Sequence, residues 1–249
     1  MNYRYEVCSL PLRVFRRALR VSGISQAEAR RFGYFMKKEP SELVLEMRRN
    51  AALAELIGII LGDGNLEPNS LAIFGDKSKD TAYLIGYVAP LMKRTLKLTP
   101  KLKTNRPDEN FLVLNSTAAV RALHRLGLPI GDKMKNGACI PKWIFAKRRL
   151  LEACVRGLFD TDGCVYGFCR KPPARGRKAI VSFEFGRDSR LTEDVHRALR
   201  MLGYSPRMMP HRNESRLAVN SDMVSFMNMV KPANRKHWDN FRRWYGPVV

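Results

Sequence analysis

Two stretches of this chain end in the same way, and they constrain its fold more than any other feature. Residues 55–64 read ELIGIILGDG and residues 154–163 read CVRGLFDTDG, so each apolar run closes on an aspartate and a glycine. Small residues recur at every fourth position, at Ala54, Gly58 and Gly62 and again at Ala153, Gly157 and Thr161. On a helix this spacing places them on one face. The pattern predicts two helices whose backbones approach closely along a seam of small residues.

The two predicted helices end at Asp63 and Asp162, which the seam would bring together at one end. Glycine follows each aspartate, and glycine suits the left-handed conformation that often ends a helix. We expect the first helix to begin well upstream of the motif, with Ser41 as its N-cap.

The agreement between the two halves continues downstream in the same order. The matched segments are LAIFG (71–75) with IVSFEFG (180–186), TAYLIGYVAPLMKRTLKL (81–98) with LTEDVHRALRMLGY (191–204), and FLVLNS (111–116) with RLAVNS (216–221). This alignment matches Phe74 to Phe185 and Phe111 to Arg216. The sequence therefore predicts an α+β fold in which an αββαββα unit occurs twice with pseudo-twofold symmetry. We expect a basic helical extension at 1–48, a first repeat at 49–148 and a second repeat at 149–249.

The charge of the chain points to a polyanionic partner. Lys and Arg number 45 against 23 Asp and Glu, which gives a formal net charge of +22. Nucleic acid is favoured over a membrane surface, because the sequence has no long basic amphipathic helix and no apolar run long enough to cross a bilayer. The five cysteines are scattered, which favours a reducing, cytoplasmic or organellar location over secretion.

Several basic residues are candidates for DNA contacts. A loop broken by Pro and Gly, RKPPARGRK (170–178), is rich in positive charge, and other basic residues lie on predicted strands whose side chains alternate between faces. The candidates are Lys101, Lys103, Arg170, Lys171, Arg175, Arg177, Lys178, Arg207 and Arg216.

Asp63 and Asp162 together suggest metal-dependent chemistry. Two carboxylates at one end of a helix seam repel each other and lose solvation. A divalent cation such as Mg²⁺ relieves both costs, since it prefers oxygen ligands. Metal ions held between carboxylates and a phosphate promote phosphodiester hydrolysis. One acidic centre from each half would suit the cutting of two DNA strands.

The stretches LIGIILGDG (56–64) and VRGLFDTDG (155–163) resemble the two motifs of single-chain LAGLIDADG homing endonucleases. The resemblance spans residues 50–249. It implies two saddle-shaped antiparallel sheets and a monomer that cuts double-stranded DNA at a long specific site, as in intron homing. It also implies Mg²⁺ as cofactor, with Mn²⁺ as a substitute.

The resemblance further implies roles for individual residues. Asp63 and Asp162 would bind the metal, with Gly62 and Thr161 beside them completing the metal set. Basic residues near the cleavage centre would be Lys77 in the first half and Arg187 in the second. Lys133 and Lys135 lie in a segment that resembles the one leading into the second motif; they could point towards the site, but a solvated loop is the favoured interpretation.

Two other functions fit the same scaffold. An RNA-splicing maturase would bind structured intron RNA and need no cleavage centre. A DNA-binding regulator would have lost catalysis, although the presence of both aspartates argues against it. The first 48 residues also leave two interpretations open, half of a helix-turn-helix or a helical extension that packs on the main domain.

Overall fold

The computed structural model describes residues 47–133, 135–169, 177–184, 189–209, 211, 213–218 and 220–245, together with 17, 20–23 and 25. The chain divides into two compact units, Met1–Pro40 and Ser41–Val249. The sequence-based extension at 1–48 lies mostly outside the described residues. None of the described helices is long and apolar enough to cross a membrane.

The second unit contains the expected repeat. Its first half consists of α1 (Ala51–Asp63), β1 (Gly64–Glu67), β2 (Ser70–Asp76), α2 (Thr81–Tyr83), a π-helical turn (Leu84–Val88), α3 (Ala89–Leu96), β3 (Lys101–Arg106), β4 (Glu109–Asn115) and α4 (Thr117–Arg125). After the short helix α5 (Lys142–Phe145), the second half consists of α6 (Arg148–Asp162), β5 (Gly163–Cys169), β6 (Arg177–Glu184), α7 (Ser189–Met201), β7 (Arg207–Met209), β8 (Glu214–Leu217), α8 (Asn220–Val230) and α9 (Arg235–Tyr245). The predicted α+β fold and the order of its elements are confirmed.

Each half contributes a four-stranded antiparallel sheet, with strand orders β1-β2-β4-β3 and β5-β6-β8-β7. One face of each sheet is apolar and buried, and it includes Ile73 and Leu112 in the first sheet and Phe183 and Leu217 in the second. The other face points away from this core, because successive side chains of a strand alternate between faces. We call it the open face.

The two long helices α1 and α6 pack against each other along their small residues. A Cβ atom added to Gly58 would lie 2.2 Å from the carbonyl oxygen of Cys154, and one added to Gly157 would lie 2.2 Å from the carbonyl oxygen of Glu55. No side chain fits in such a space, so glycine is what allows the backbones to touch. Each helix buries its large apolar residues against its own sheet, so the core is continuous across the two halves.

Two local expectations were wrong. Gly64 and Gly163 follow the helices with φ of −89° and −71°, so neither adopts the left-handed conformation. Glycine is needed there because an added Cβ would lie 2.6 Å from Ile60 Cα or 2.2 Å from Phe159 Cδ2. In addition, α1 begins at Ala51, where the side chain of Asn50 accepts the Leu53 N–H at 2.9 Å. Ser41 lies outside the described residues.

Candidate active site

Asp63 and Asp162 end α1 and α6 and lie side by side where the two helices meet. A Cβ atom added to Gly62 would lie 2.5 Å from Asp162 Oδ2. Burial, together with the charge of the nearby Asp80, raises the pKa of Asp63 to about 6. Burial and the charge of Asp63 raise the pKa of Asp162 to about 7. The structure thus concentrates two carboxyl groups where their ionisation is unfavourable.

Two lysines oppose this effect. Lys133 and Lys236 both lower the pKa of Asp63 and of Asp162 through their positive charge. The ammonium group of Lys133 donates hydrogen bonds to the carbonyl oxygen of Leu61, at 2.9 Å, and to that of Gly62. It therefore lies at the last turn of α1, where the helix dipole is negative and favours a cation.

Lys236 is held by a network that joins the two halves. Its ammonium group lies 2.9 Å from Asp80 Oδ1, and the Asn234 side chain donates to the same oxygen at 2.8 Å. Although burial opposes the ionisation of Asp80, these two hydrogen bonds, the charge of Lys236 and the backbone N–H of Asp76 together outweigh it and lower the pKa of Asp80. Asp160 in turn accepts the backbone N–H groups of Ala233 and Asn234 at 3.1 and 3.0 Å. The segment before α9 is thereby fixed to the end of α6.

The donor set fits a divalent cation that is completed by other oxygen ligands. Asp63 and Asp162 offer two hard carboxylate donors whose mutual repulsion a bound cation would relieve. Among the described residues, no group of three or more His, Cys, Asp or Glu side chains could hold a metal ion by itself. The remaining ligands would have to be water or phosphate oxygens, as expected for a site that acts on a phosphodiester.

The two residues that complete the expected metal set have structural contacts of their own. The Gly62 carbonyl oxygen accepts from Lys133. The Thr161 hydroxyl donates within its own helix, to the carbonyl oxygens of Gly157 and Leu158 at 3.1 and 3.0 Å.

The predicted basic partners lie elsewhere or are not described. Lys77 is exposed in the turn after β2, where its backbone N–H donates to Asp108. Its neighbour Asp76 accepts three hydrogen bonds from Ser78 and Lys79 and so shapes this turn. Arg187 lies outside the described residues.

Four of the DNA-contact candidates share the open faces of the sheets. Lys101 and Lys103 on β3 are exposed, and so is Arg207 on β7. Arg216 on β8 is less available, because it pairs with Glu214 at 3.2 Å and its side chain is only 18% exposed. Arg177 and Lys178 lie at the start of β6, but the structure does not describe their side chains. Arg170, Lys171 and Arg175 lie outside the described residues.

The strand pairing corrects the alignment of the two halves. Gly64 pairs with Ile73, and Gly163 pairs with Phe183. Phe74 therefore corresponds to Glu184 instead of Phe185, and continuing this alignment matches Lys77 to Arg187.

The same correction pairs the two site lysines. Sequence reasoning favoured a solvated loop for Lys133 and missed Lys236. Ile73 pairs with Leu112 and Phe183 with Ser215, so Phe111 corresponds to Glu214 instead of Arg216. Continuing from there matches Pro129 to Pro232 and Lys133 to Lys236. A lysine four residues after a proline, just beyond the last helix of each repeat, is the sequence signal that marks this pair.

Comparison with curated protein sequences found distant relatives that are far longer than this chain. The replication factor C small subunit of Methanocaldococcus jannaschii is 26% identical over 241 residues, which cover 84% of this chain. The ribonucleoside-diphosphate reductase NrdEB subunit alpha of Bacillus subtilis is 29% identical over 126 residues, or 45% of this chain. The chain spans only 12% and 11% of the lengths of these relatives. No family model matches the chain.

Solved structures show a clearer likeness. The LAGLIDADG meganuclease I-AabMI bound to uncleaved DNA superposes with a TM-score of 0.52 and 15% identity, covering 75% of this chain and 86% of the meganuclease. Meganuclease I-SmaMI bound to uncleavable DNA superposes with a TM-score of 0.51 and 11% identity, covering 77% of this chain and 88% of that protein. The chain has the fold of the LAGLIDADG homing endonucleases.

Proposed function

We propose that this protein is a member of the LAGLIDADG family and a site-specific endonuclease that hydrolyses double-stranded DNA with Mg²⁺, for which Mn²⁺ can substitute. One observation carries the proposal. Two half-buried carboxyl groups, one from each half, meet at the end of the helix seam with raised pKa values and a lysine from each half beside them. Such a cluster lowers the stability of the folded protein, and carboxyl groups with pKa values perturbed in this way mark functional sites.

The comparisons support DNA as the substrate. I-AabMI and I-SmaMI were both solved bound to DNA targets, and I-SmaMI was also solved on DNA in the presence of calcium ions. The net charge of +22 supports the same partner. The exposed lysines of β3 and Arg207 of β7 would contact phosphates and hold the duplex over the open faces.

Asp63 and Asp162 would hold the cation, with the Gly62 and Thr161 backbone next to them. When bound, a divalent ion lowers the pKa of a water ligand and stabilises negative charge on phosphate oxygens. Lys133 and Lys236 would place positive charge beside the scissile phosphates, where charge builds up during hydrolysis. Asp80 and Asn234 would act as positioning residues, since they hold the Lys236 ammonium group in place.

The two halves are not equivalent, and we propose that their cleavage rates differ. Lys236 is fixed by a carboxylate, whereas Lys133 is fixed by main-chain carbonyl oxygens. Asp160 ties down the segment that carries Lys236, whereas Leu61 occupies the corresponding position in the first half. A single-turnover experiment with each strand labelled separately should give different rate constants for the two strands.

The proposal is tested by cleavage of a library of random duplexes. Purified protein with Mg²⁺ should generate double-strand breaks in duplexes that share one sequence, and EDTA should abolish them. The Asp63→Asn and Asp162→Asn variants should bind the recovered duplex within about threefold of the parent, because an amide preserves the packing, while double-strand cleavage falls by at least roughly a hundredfold. Undiminished cleavage by either variant, or the absence of any cut duplex, would refute it.

A further inference from the structure

The open face of the first sheet carries an apolar row beside the carboxyl pair. Phe74 on β2 and Phe111 on β4 pair across the strands, and their rings stack with centroids 5.3 Å apart and planes 21° from parallel. In the next row Ala72 pairs with Val113. All four side chains are half-buried although they point away from the core. Neighbouring apolar side chains that form a patch on a protein surface often mark a binding site.

The position of this row ties it to the proposed cleavage centre. β1 begins immediately after Asp63, and its first residue, Gly64, pairs with Ile73, the neighbour of Phe74. A duplex whose scissile phosphate lies at Asp63 would therefore place its nearest base pairs over Phe74 and Phe111.

Positive charge flanks the apolar row on the same face. Lys103 pairs with Phe111 and Lys101 pairs with Val113, and both lysines are exposed. Two cations beside an apolar strip complement the phosphate backbone that borders a DNA groove. They do not complement a purely apolar protein surface, which favours nucleic acid as the occupant.

The second sheet has a different chemistry at the same positions. Phe74 corresponds to Glu184 and Phe111 to Glu214, which pair with each other across β6 and β8. Glu214 accepts from the Tyr166 hydroxyl at 3.0 Å and from Arg216 at 3.2 Å. Glu214 is buried in these contacts and Glu184 is exposed, so the second sheet presents a carboxylate where the first sheet presents aromatic rings. The two sheets therefore differ in the base pairs that they can select.

We propose that the first sheet reads thymine through its 5-methyl group, so that the half-site bound by the first repeat contains thymine opposite Phe74 and Phe111. The inference rests on the proposed function. In the major groove of B-DNA the thymine methyl is the apolar feature that distinguishes base pairs, and phenylalanine and alanine are side chains that contact it. At the corresponding positions the second sheet has Glu184 and Glu214 instead of an aromatic pair, so it selects its half-site by other contacts.

The test replaces single thymines with deoxyuridine, which lacks only the methyl group. Duplexes are first recovered from a random library by binding to the full chain in Ca²⁺, and each thymine of the recovered site is then replaced in turn. Burial of one methyl group gives about a fourfold change in Kd. One or two adjacent thymines in one half-site should show this loss, and none in the other half-site should.

The Phe111→Ala and Phe74→Ala variants complete a double-mutant cycle with each replacement. In these variants the preference for thymine over deoxyuridine should disappear at the sensitive positions only. The matched control is Phe145→Ala, since Phe145 is a half-buried ring in the short helix α5 and belongs to neither sheet; this variant should retain the full preference. Thermal unfolding of each variant establishes that it is folded.

The outcomes separate this inference from the proposed function. If no sequence is enriched from the library, the proposed function fails. If a site is recovered and cut but deoxyuridine binds as tightly as thymine at every position, the thymine inference is overturned and the endonuclease stands. The same holds if neither recovered half-site contains thymine.

Discussion

Lys236 is a residue whose replacement should separate cleavage from binding. Its ammonium group acts on both site carboxyl groups and is held by Asp80. We expect Lys236→Met to slow cleavage by about a hundredfold or more and to change the Kd for DNA by less than about threefold, because one charge is a small part of the phosphate contacts. Single-turnover cleavage and fluorescence anisotropy measure the two quantities.

Lys135 supplies the control for this prediction. Its side chain is 84% exposed and pairs weakly with Asp132 at 3.7 Å. Lys135→Met should leave the cleavage rate within about twofold, as is usual for exposed charges. Equal losses in the two variants would show that lysine charge acts only through general attraction of DNA.

The two aspartates should also make stability fall as pH rises. Their folded-state pKa values, about 6 for Asp63 and about 7 for Asp162, exceed the ordinary 3.8. The folded protein therefore binds protons more tightly than the unfolded chain, and this contribution to stability is lost between about pH 4 and 7. For Asp63 alone the loss is on the order of 3 kcal/mol. Added Mg²⁺ should restore the lost stability near pH 7.5.

Chemical unfolding at several pH values measures this effect without DNA. The Asp63→Asn/Asp162→Asn double variant is the control, because it lacks both titrating groups and keeps the shape of the site. It should lose less stability on going from pH 5 to 8 and gain nothing from Mg²⁺. A parent protein with the same pH profile as this variant would contradict the raised pKa values.

At the residue scale, the sequence predicted the position of the aspartates, favoured a solvated loop for Lys133 and did not single out Lys236, and the reason is physical. Asp63 and Asp162 end a motif whose spacing is fixed by helix packing, so their position follows from the pattern. Lys133 lies in a turn beyond α4, and Lys236 lies in the first turn of α9, which follows a short irregular segment. Their place depends on main-chain hydrogen bonds such as those from Ala233 and Asn234 to Asp160, which leave no periodic signal.

At the scale of elements, the helix seam gives a sharp stability prediction. The Cβ of Gly58→Ala or Gly157→Ala would lie 2.2 Å from a main-chain carbonyl oxygen of the facing helix. Since backbone cannot rotate away as a side chain can, the helices must separate. Each variant should lose about 3 kcal/mol or more of unfolding free energy, at the upper end of the cost of overpacking. Thermal or urea unfolding measures it.

Gly86 is the matched control for the seam. It is also a helical glycine, but an added Cβ would meet nothing within 4 Å. Gly86→Ala should therefore be neutral or stabilise the protein by about 0.5–1 kcal/mol, since alanine favours the helix. Similar losses at Gly86 and Gly58 would mean that the seam is not closely packed.

The elements themselves follow from the sequence, whereas the ends of the long helices do not. Repetition of the same order in two halves identifies α1 to β8, even where a single segment is ambiguous. The glycines after Asp63 and Asp162 were assigned to a left-handed cap, but both are extended and are required by contact with Ile60 and Phe159. Sequence alone cannot distinguish a left-handed cap from a close contact at these two positions, because both require glycine.

At the scale of the whole molecule, the duplication explains why one chain can hold an asymmetric site. Two copies of one unit would carry identical sheets, but here one sheet has Phe74 and Phe111 at the positions where the other has Glu184 and Glu214. Once joined in one chain, the halves can diverge in their open faces while the seam keeps its small residues. Divergence of this kind suits a long DNA target sequence that is not palindromic.

The charge of the whole molecule leads to a prediction about salt. With a net charge of +22, DNA binding should weaken steeply as salt rises, by orders of magnitude between roughly 50 and 200 mM for six to ten phosphate contacts. Lys103→Ala should reduce the slope of log Kd against log salt by about one, because an exposed cation on the open face is lost. Arg149→Ala removes an equal charge at the other end of α6, about 20 Å from Asp162 along the helix, and should leave the slope unchanged. Equal reductions of the slope in the two variants would mean that DNA does not bind over the open face. In that case every surface cation would contribute equally, through a general attraction of DNA.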